Sequence, residues 1–146
     1  MIKIEHLTKK YGERYAIDDV SFEVADGEIV GFLGPNGAGK STTMNIITGY
    51  LSSTSGKAMV DGLDILEHPM AVKKKIGYLP EMPPLYLEMT VGEYLNFIYD
   101  LKKCSLNRRE HIAEICRVTK IEEEYHRVIK NLSKGFRQRV GIAGAL

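Results

Sequence analysis

Residues 34–41 are Gly34-Pro35-Asn36-Gly37-Ala38-Gly39-Lys40-Ser41, an octapeptide in which three of the eight residues are glycine. The apolar run Ile29-Val30-Gly31-Phe32-Leu33 precedes it, and such a run is typical of a strand that is buried on both faces. The segment Lys40 to Tyr50 follows it with the apolar spacing of a helix. The order of strand, glycine loop and helix predicts an α/β fold.

The octapeptide satisfies the pattern G-x-x-x-x-G-K-[ST], which binds phosphate when it lies between a strand and a helix. Its glycines let the loop wrap a phosphate with backbone N–H groups, and the helix N-terminus adds free amides and a positive dipole end. Lys40 is predicted to reach the β- and γ-phosphates as a catalytic residue, and Ser41 to offer its hydroxyl to magnesium. The other predicted nucleotide contacts here are Gly34, Asn36, Gly37, Gly39 and Thr42. The alternative is a glycine-rich turn with an unrelated lysine.

The composition of the 146 residues is that of a globular protein, with 44% apolar and 27% charged residues. Disorder and coiled coil are excluded, and a single hydrophobic core is expected. The 20 basic and 19 acidic residues leave a net charge of +1, so nucleic-acid binding is not expected. No apolar stretch has the length of a membrane span, and Cys104 and Cys116 match no disulfide framework or metal motif. We therefore expect a cytoplasmic protein without direct membrane insertion.

Strand and helix patterns surround the glycine loop. Alternating apolar residues at 2–4 and 20–24 predict two edge-type antiparallel strands, and strand-like runs follow at 57–60 and 76–79. A short helix before the last of these runs ends in the lysines 73–75.

The second half of the chain changes to helical periodicity. Three prolines predict a loop over residues 80–89. Thr90-x-x-Glu93 is a capping box that opens one amphipathic helix, and Asn107-x-x-Glu110 opens a second. Residues 89–131 are therefore predicted to form a helical subdomain.

A second candidate anion site lies at Leu132-Ser133-Lys134-Gly135-Phe136-Arg137-Gln138-Arg139. Ser133 is placed to cap a helix, and Gly135 leaves the first-turn amides uncovered. Taken alone, this pattern is more often a plain helix cap than a binding site.

Together, residues 34–41 and 132–139 resemble the Walker A loop and the LSGGQ-type signature of ABC ATPases, the nucleotide-binding subunits of ABC transporters. Tyr11 resembles the aromatic residue that stacks on adenine in this family, although an ordinary strand-end tyrosine is the alternative. Residues 76–81 are similar to the strand and Q-loop that join the core to the helical subdomain and contact the membrane partner. The resemblance implies that Ser133 and Gly135 contact nucleotide, and that Glu81 is a catalytic residue and a magnesium ligand.

The chain departs from the family pattern at three places. Glu81 stands where the family usually has glutamine, and Lys134 and Phe136 replace a glycine and the glutamine of the signature. The resulting LSKGF form resembles that of exporter ATPases. The third departure is that the sequence ends at Leu146, before the Walker B strand, the catalytic glutamate, the D-loop and the switch histidine of the family.

The resemblance implies a P-loop NTPase core with an antiparallel β edge and a helical subdomain, incomplete at the C-terminus. Residues 1–88 and 132–146 are then the nucleotide-binding core, and 89–131 the helical subdomain. It also implies ATP and Mg²⁺ as ligands and a head-to-tail homodimer or heterodimer, in which each ATP lies between the Lys40 loop of one subunit and the Ser133 helix of the other. Membrane-spanning partner subunits would hold the protein at the inner face of the cell membrane, where ATP hydrolysis drives export.

For residues 1–146 alone we expect weak ATP binding and negligible turnover, because phosphoryl transfer also needs a held metal and an oriented water. The run 29–33 is then expected to lack a parallel neighbour and to expose apolar side chains. Three alternatives stay open: a soluble ABC-type ATPase acting on the ribosome or nucleic acid, a different P-loop enzyme such as a small-molecule kinase, and an inactive fragment. A kinase leaves residues 132–139 unexplained.

Overall fold

The computed structural model describes all 146 residues, which divide into two compact units, Met1–Ile76 and Gly77–Leu146. Each unit has its own cluster of buried apolar side chains. The expectation of a single hydrophobic core is therefore wrong, because the sheet of the first unit and the helices of the second bury their apolar faces separately. No helix in either unit has the length and hydrophobicity that crossing a bilayer requires.

The first unit contains four strands and two helices. In chain order they are β1 (Ile2–Tyr11), β2 (Arg14–Val24), α1 (Lys40–Ile47), β3 (Ser55–Val60), β4 (Leu63–Asp64) and α2 (Pro69–Lys73). The strands form one antiparallel sheet in the order β2-β1-β3-β4. The prediction of an edge strand is confirmed for β2 and wrong for β1, which pairs on both sides. Alternation along a strand shows which face is buried, not how many neighbours the strand has.

The core of the first unit lies where the sheet meets its helices. Ile4 and Leu7 of β1 are buried there, as are Ile46 and Ile47 of α1 and Val72 of α2. The helix predicted from Lys40 is confirmed, and it ends at Ile47, before the Tyr50 that the sequence indicated.

The run 29–33 forms no strand in this structure. Ile29 is 99% exposed and Leu33 is 92% exposed, and neither belongs to the four-stranded sheet. The prediction of a buried strand is wrong, whereas the expectation of exposed apolar side chains is confirmed. A strand that is buried on both faces needs a neighbouring strand on each edge to pair its backbone N–H and C=O groups. No strand of the described sheet pairs with residues 29–33. Residues 76–79, also predicted as a strand, have no regular structure.

The second unit is helical. Its elements are α3 (Val91–Leu101), α4 (Arg108–Thr119), two short 3₁₀ turns (Glu122–Glu124 and Ile129–Asn131) and α5 (Lys134–Ala145). The predicted capping box is confirmed, since the Thr90 hydroxyl accepts from the Glu93 N–H at 3.2 Å and the Glu93 carboxylate accepts from the Thr90 N–H at 2.7 Å. The Asn107 side chain likewise accepts from the Glu110 N–H at 3.2 Å, so both predicted helix starts are present.

The three long helices of the second unit bury one common core. Its members include Val91, Leu95 and Ile112, with Val140 and Ala143 contributed by α5. Residues 132–146, which the sequence assigned to the nucleotide-binding core, thus pack beside the helical segment in this structure. The division into a core of 1–88 and 132–146 and a subdomain of 89–131 remains a prediction.

Candidate functional site

The Lys40 side chain bridges back to the start of the loop 34–39 and closes it. The Lys40 ammonium donates to the Pro35 carbonyl at 2.8 Å and also to the Gly34 carbonyl. The Ala38 N–H donates to the same Pro35 carbonyl at 3.2 Å, which forms a turn inside the loop. An ammonium group has three N–H donors, so one donor of Lys40 remains for a ligand.

Gly39 cannot be replaced by another residue without strain. It is the N-cap of α1 with φ +86°, in the left-handed region, and a Cβ atom there would lie 2.2 Å from the carbonyl oxygen of Ala16 in β2. Both the backbone conformation and the contact with β2 require glycine. Strand β2 therefore sets the position at which α1 begins.

The N-terminus of α1 has free hydrogen-bond donors. No side chain caps the helix, and its first turn holds no acidic residue. The N–H groups of Lys40, Ser41 and Thr42 have no acceptor inside the helix, because the first turn of any helix leaves its amides unpaired. These amides, the positive end of the helix dipole and the Lys40 ammonium have the donors and the charge that favour an anion.

Thr43 helps to hold the junction between the loop and α1, a role that the sequence argument missed. Its side chain is buried at 2% exposure, and its N–H and its hydroxyl both donate to the Gly39 carbonyl, at 2.8 and 3.0 Å. The second bond fixes the peptide group at the junction of loop and helix. A threonine four residues after the last loop glycine, within the predicted helix, is not distinctive enough to indicate this contact.

Tyr11 lies at the C-terminal end of β1, in the same unit as the loop. Its ring is 53% exposed, and the Lys9 ammonium lies 5.2 Å from the ring centroid. The ring therefore has a cation–π contact with Lys9. The ring is accessible enough to stack on a planar ligand.

The start of α5 has a different construction. The Ser133 hydroxyl accepts from the Phe136 N–H at 3.3 Å, which confirms the predicted cap. Gly135 is exposed, and apart from its chain neighbours and its own helix backbone the atom nearest to the position that a Cβ would take is the Ser133 Oγ, at 3.9 Å. The two arginines of the motif also bind the backbone, since Arg137 donates to the Lys130 carbonyl at 2.6 Å and Arg139 to the Lys120 carbonyl at 3.3 Å. Each guanidinium keeps its positive charge and further N–H donors.

Glu81 lies in the proline-rich loop of the second unit and is exposed. No group of three or more His, Cys, Asp or Glu side chains is arranged to hold a metal ion. Ser41 and Glu81 nevertheless carry the oxygen donors that Mg²⁺ prefers, and Mg²⁺ commonly takes one or two protein ligands beside phosphate oxygens. Each side chain by itself is therefore a chemically suitable ligand for a magnesium ion that is held mainly by nucleotide phosphates.

A separate groove of about 530 Å³ lies on the second unit. It is lined by residues of α3 and α4 and of the turn after α4, among them Ile112, Cys116 and Tyr125. It includes none of the predicted site residues. Burial raises the pKa of the Cys116 thiol, so this cysteine is a core residue rather than a nucleophile.

Comparison with known proteins gives consistent matches. Residues 17–146 match the ABC transporter family model. The whole chain is 40% identical to part of the uncharacterized ABC transporter ATP-binding protein YxlF of Bacillus subtilis (strain 168), of which it covers 48%. It is 33% identical to part of the bacitracin transport ATP-binding protein BcrA of Bacillus licheniformis, of which it covers 47%.

A solved structure matches the same residues. The whole chain aligns with 69% of the ATP-binding cassette MJ0796 in a dimeric post-hydrolysis state bound to ADP and Pi, with a TM-score of 0.81 and 30% identity. The chain spans about half the length of the two curated relatives named above. The family model covers most of the chain, including the loop 34–41 and the start of α5. The chain therefore belongs to the ABC transporter ATP-binding family.

Proposed function

We propose that this chain is the ATP-binding part of an ABC transporter and that residues 34–41 bind the triphosphate of ATP. The observation that carries this proposal is the closure of the loop by Lys40. The ammonium holds the Gly34 and Pro35 carbonyls and keeps one donor free, next to a helix start with no cap. A closed loop with unpaired N–H donors provides the preorganised positive site that a phosphate chain needs.

Each site residue has a role in this proposal. The backbone of residues 34–39 and the first amides of α1 hold the phosphates, and the free donor of Lys40 binds a β- or γ-phosphate oxygen. Tyr11 stacks on adenine. Ser41 and Glu81 contribute oxygen ligands to magnesium, which neutralises phosphate charge when it is bound. Glu81 carries a charge where a family glutamine is neutral, so we expect its side chain to bind the metal directly.

The assembly is also part of the proposal. Ser133 and Gly135 contact the nucleotide of a second, head-to-tail subunit, where the hydroxyl hydrogen of Ser133 stays free because its oxygen only accepts from Phe136. Paired membrane-spanning subunits hold the dimer at the inner face of the membrane, and ATP hydrolysis drives export. The transport named for the bacitracin relative supports this role over one on the ribosome, and the LSKGF form of residues 132–136 supports export.

Calorimetric titration with MgATP tests the binding site, with Lys74→Ala as the matched control. Lys74 is an exposed lysine of the same unit, at the end of α2. Lys40→Ala is expected to raise Kd at least about 10-fold, equivalent to ~1.4 kcal/mol, whereas the control keeps the affinity of the unaltered chain. Equal affinity in all three proteins would show that residues 34–41 are only a glycine-rich turn.

Export is tested with the full reading frame that encodes this chain, expressed with the membrane-spanning subunits that co-purify with its product. Inside-out vesicles should accumulate substrate only with MgATP, and the Lys40→Ala protein should accumulate none. ATP-dependent loss of substrate from the same vesicles would instead assign the protein to import.

A further inference from the structure

The exposed end of β1 holds a lysine against a tyrosine. The Lys9 ammonium lies over the Tyr11 ring, 5.2 Å from its centroid. At this distance a cation is attracted to the π face of an aromatic ring. Because Tyr11 is still 53% exposed, the contact leaves much of the ring open to another molecule.

A second contact fixes the position of the Lys9 ammonium. It donates to the Ser52 carbonyl at 2.7 Å, in the segment between α1 and β3. That segment is itself attached to β1, since the Thr54 N–H donates to the Thr8 carbonyl at 2.8 Å and the Thr54 hydroxyl accepts from the Lys10 N–H at 2.9 Å. The cation over the Tyr11 ring is therefore anchored from outside its own strand.

The orientation of the Tyr11 ring matters for stacking. An exposed aromatic side chain can take several rotamers, and a ligand that stacks on it has to select one of them. Ordering a side chain on binding costs free energy, so a ring that is already held in one orientation binds a planar ligand more tightly. Lys9 supplies this order before a ligand arrives.

We propose that Lys9 is a positioning residue for the adenine of ATP, an inference that rests on the proposed function. Its ammonium, anchored at Ser52, holds the Tyr11 ring from one side and leaves the exposed surface of the ring to the base. Lys9 acts through Tyr11 and not on the phosphates, which residues 34–41 bind. Its removal should therefore weaken the binding of a nucleotide and spare the binding of a phosphate chain that has no base.

The chain offers a matched control in the next residue, Lys10. Its ammonium lies 5.0 Å from the ring centroid of Tyr15, which is 52% exposed and has no role in the proposed site. Lys10→Ala therefore removes the same charge and the same kind of contact one residue along the chain. Comparing it with Lys9→Ala separates the positioning of Tyr11 from a general loss of positive charge.

The experiment is a calorimetric titration of the protein encoded by the full reading frame that includes this chain. The ligands are MgATP and magnesium tripolyphosphate, which has the phosphate chain without a base. Lys9→Ala is expected to raise Kd for MgATP about threefold to fivefold, and to keep Kd for tripolyphosphate within about 1.5-fold of the unaltered protein. Retained tripolyphosphate binding also shows that the variant is folded.

Two further variants complete the set. Lys9→Arg should restore MgATP binding, because a guanidinium also stacks on aromatic rings and donates to carbonyls. Lys10→Ala should keep both Kd values within about 1.5-fold, because salt screens an exposed charge that touches no ligand.

A double variant tests whether Lys9 acts through the ring. In a Tyr11→Ala protein, adding Lys9→Ala should not weaken MgATP binding further, because no ring remains to be held. A further loss of about threefold in this background would show that Lys9 meets the nucleotide directly, and would overturn the positioning role.

The positioning role would also be overturned by unchanged MgATP affinity in Lys9→Ala, by an equal loss for MgATP and tripolyphosphate, or by an equal loss in Lys10→Ala. An unaltered protein that binds neither ligand would refute the proposed function, and the positioning role with it. MgATP binding that Tyr11→Ala leaves unchanged would contradict the adenine contact while the phosphate site stands, and Lys9 would then position no base.

Discussion

Helices α1 and α5 both begin at a glycine-containing motif, but their first turns are completed differently. At α5 the Ser133 side chain accepts from the Phe136 N–H, and α3 and α4 begin in the same way with Thr90 and Asn107. At α1 the N-cap is Gly39, which has no side chain to accept a bond. The first turn of α1 is therefore the one among these four in which no donor is satisfied by an N-cap side chain.

The comparison shows how one kind of helix terminus serves two purposes. A capped terminus adds stability to the fold, because one of its first-turn donors is satisfied within the chain. An uncapped terminus beside a closed loop leaves its donors unpaired until an anion binds. Substitutions at the start of α1 and at the start of α5 should therefore change the free energy of unfolding and the affinity for ligand in different ways.

The largest expected difference concerns the two motif glycines, Gly39 and Gly135. Gly39→Ala should lower the free energy of unfolding of the first unit by about 2–3 kcal/mol, because alanine is strained at φ +86° and its Cβ meets the Ala16 carbonyl. Gly135→Ala should not destabilise the second unit, and should stabilise it by up to about 1 kcal/mol, since its site is open and helical. Urea unfolding followed by NMR signals from each unit measures both.

The same two variants can also contradict the comparison between the starts of α1 and α5. If Gly39→Ala unfolds at the same urea concentration as the unaltered chain, the contact with β2 does not set the start of α1. If Gly135→Ala is strongly destabilised, the first turn of α5 is more crowded than the structure indicates.

A smaller effect is expected at the serine cap. Ser133→Ala should lower the stability of the second unit by about 1 kcal/mol, because the Phe136 N–H loses its acceptor. Ser133→Asp is the matched control, since aspartate caps equally well and also favours the helix dipole. Equal stability of the alanine and aspartate variants would mean that this cap contributes nothing to the fold.

The smallest effect is a pH dependence at the start of α3. The Thr90 N–H and hydroxyl donate to the Glu93 carboxylate and hold the pKa of Glu93 below its ordinary value of 4.5. A lowered pKa in the folded state gives stability that is present above pH 4.5 and is lost as the pH falls through the lowered value. The protection of the amides in the first turn of α3, relative to their intrinsic exchange rates at each pH, should therefore fall on acidification.

Glu93→Gln supplies the control for this titration. Glutamine also completes a capping box but does not titrate, so its variant should keep its amide protection in this pH range. A variant with the same acid response as the unaltered chain would assign that response to another group.

The sequence predicted local features well where a side chain or a glycine acts on its neighbours. The capping box of Thr90 and Glu93, the serine cap at 133 and the loop-to-helix junction at Gly39 all depend on residues within a few positions of each other. Such interactions require no knowledge of the rest of the fold. For the same reason the helix from Lys40 was correctly predicted.

Features that depend on distant residues were predicted less well. The run 29–33 has the composition of a buried strand, but a strand exists only where another strand pairs with it, and the four-stranded sheet does not include this run. The central position of β1 and the separate core of the second unit have the same origin in long-range contacts. The bonds from Lys40 to the loop carbonyls were also missed, because they appear only when the loop is folded.

The central claim is that residues 34–41 and the first turn of α1 bind a phosphate chain, and amide NMR of the ¹⁵N-labelled chain tests it most directly. The amide signals of Gly37, Gly39, Lys40, Ser41 and Thr42 should shift on addition of MgATP and stay in place with AMP, which lacks the β- and γ-phosphates. Those signals remaining unmoved by MgATP, or moving equally with AMP, would contradict the account.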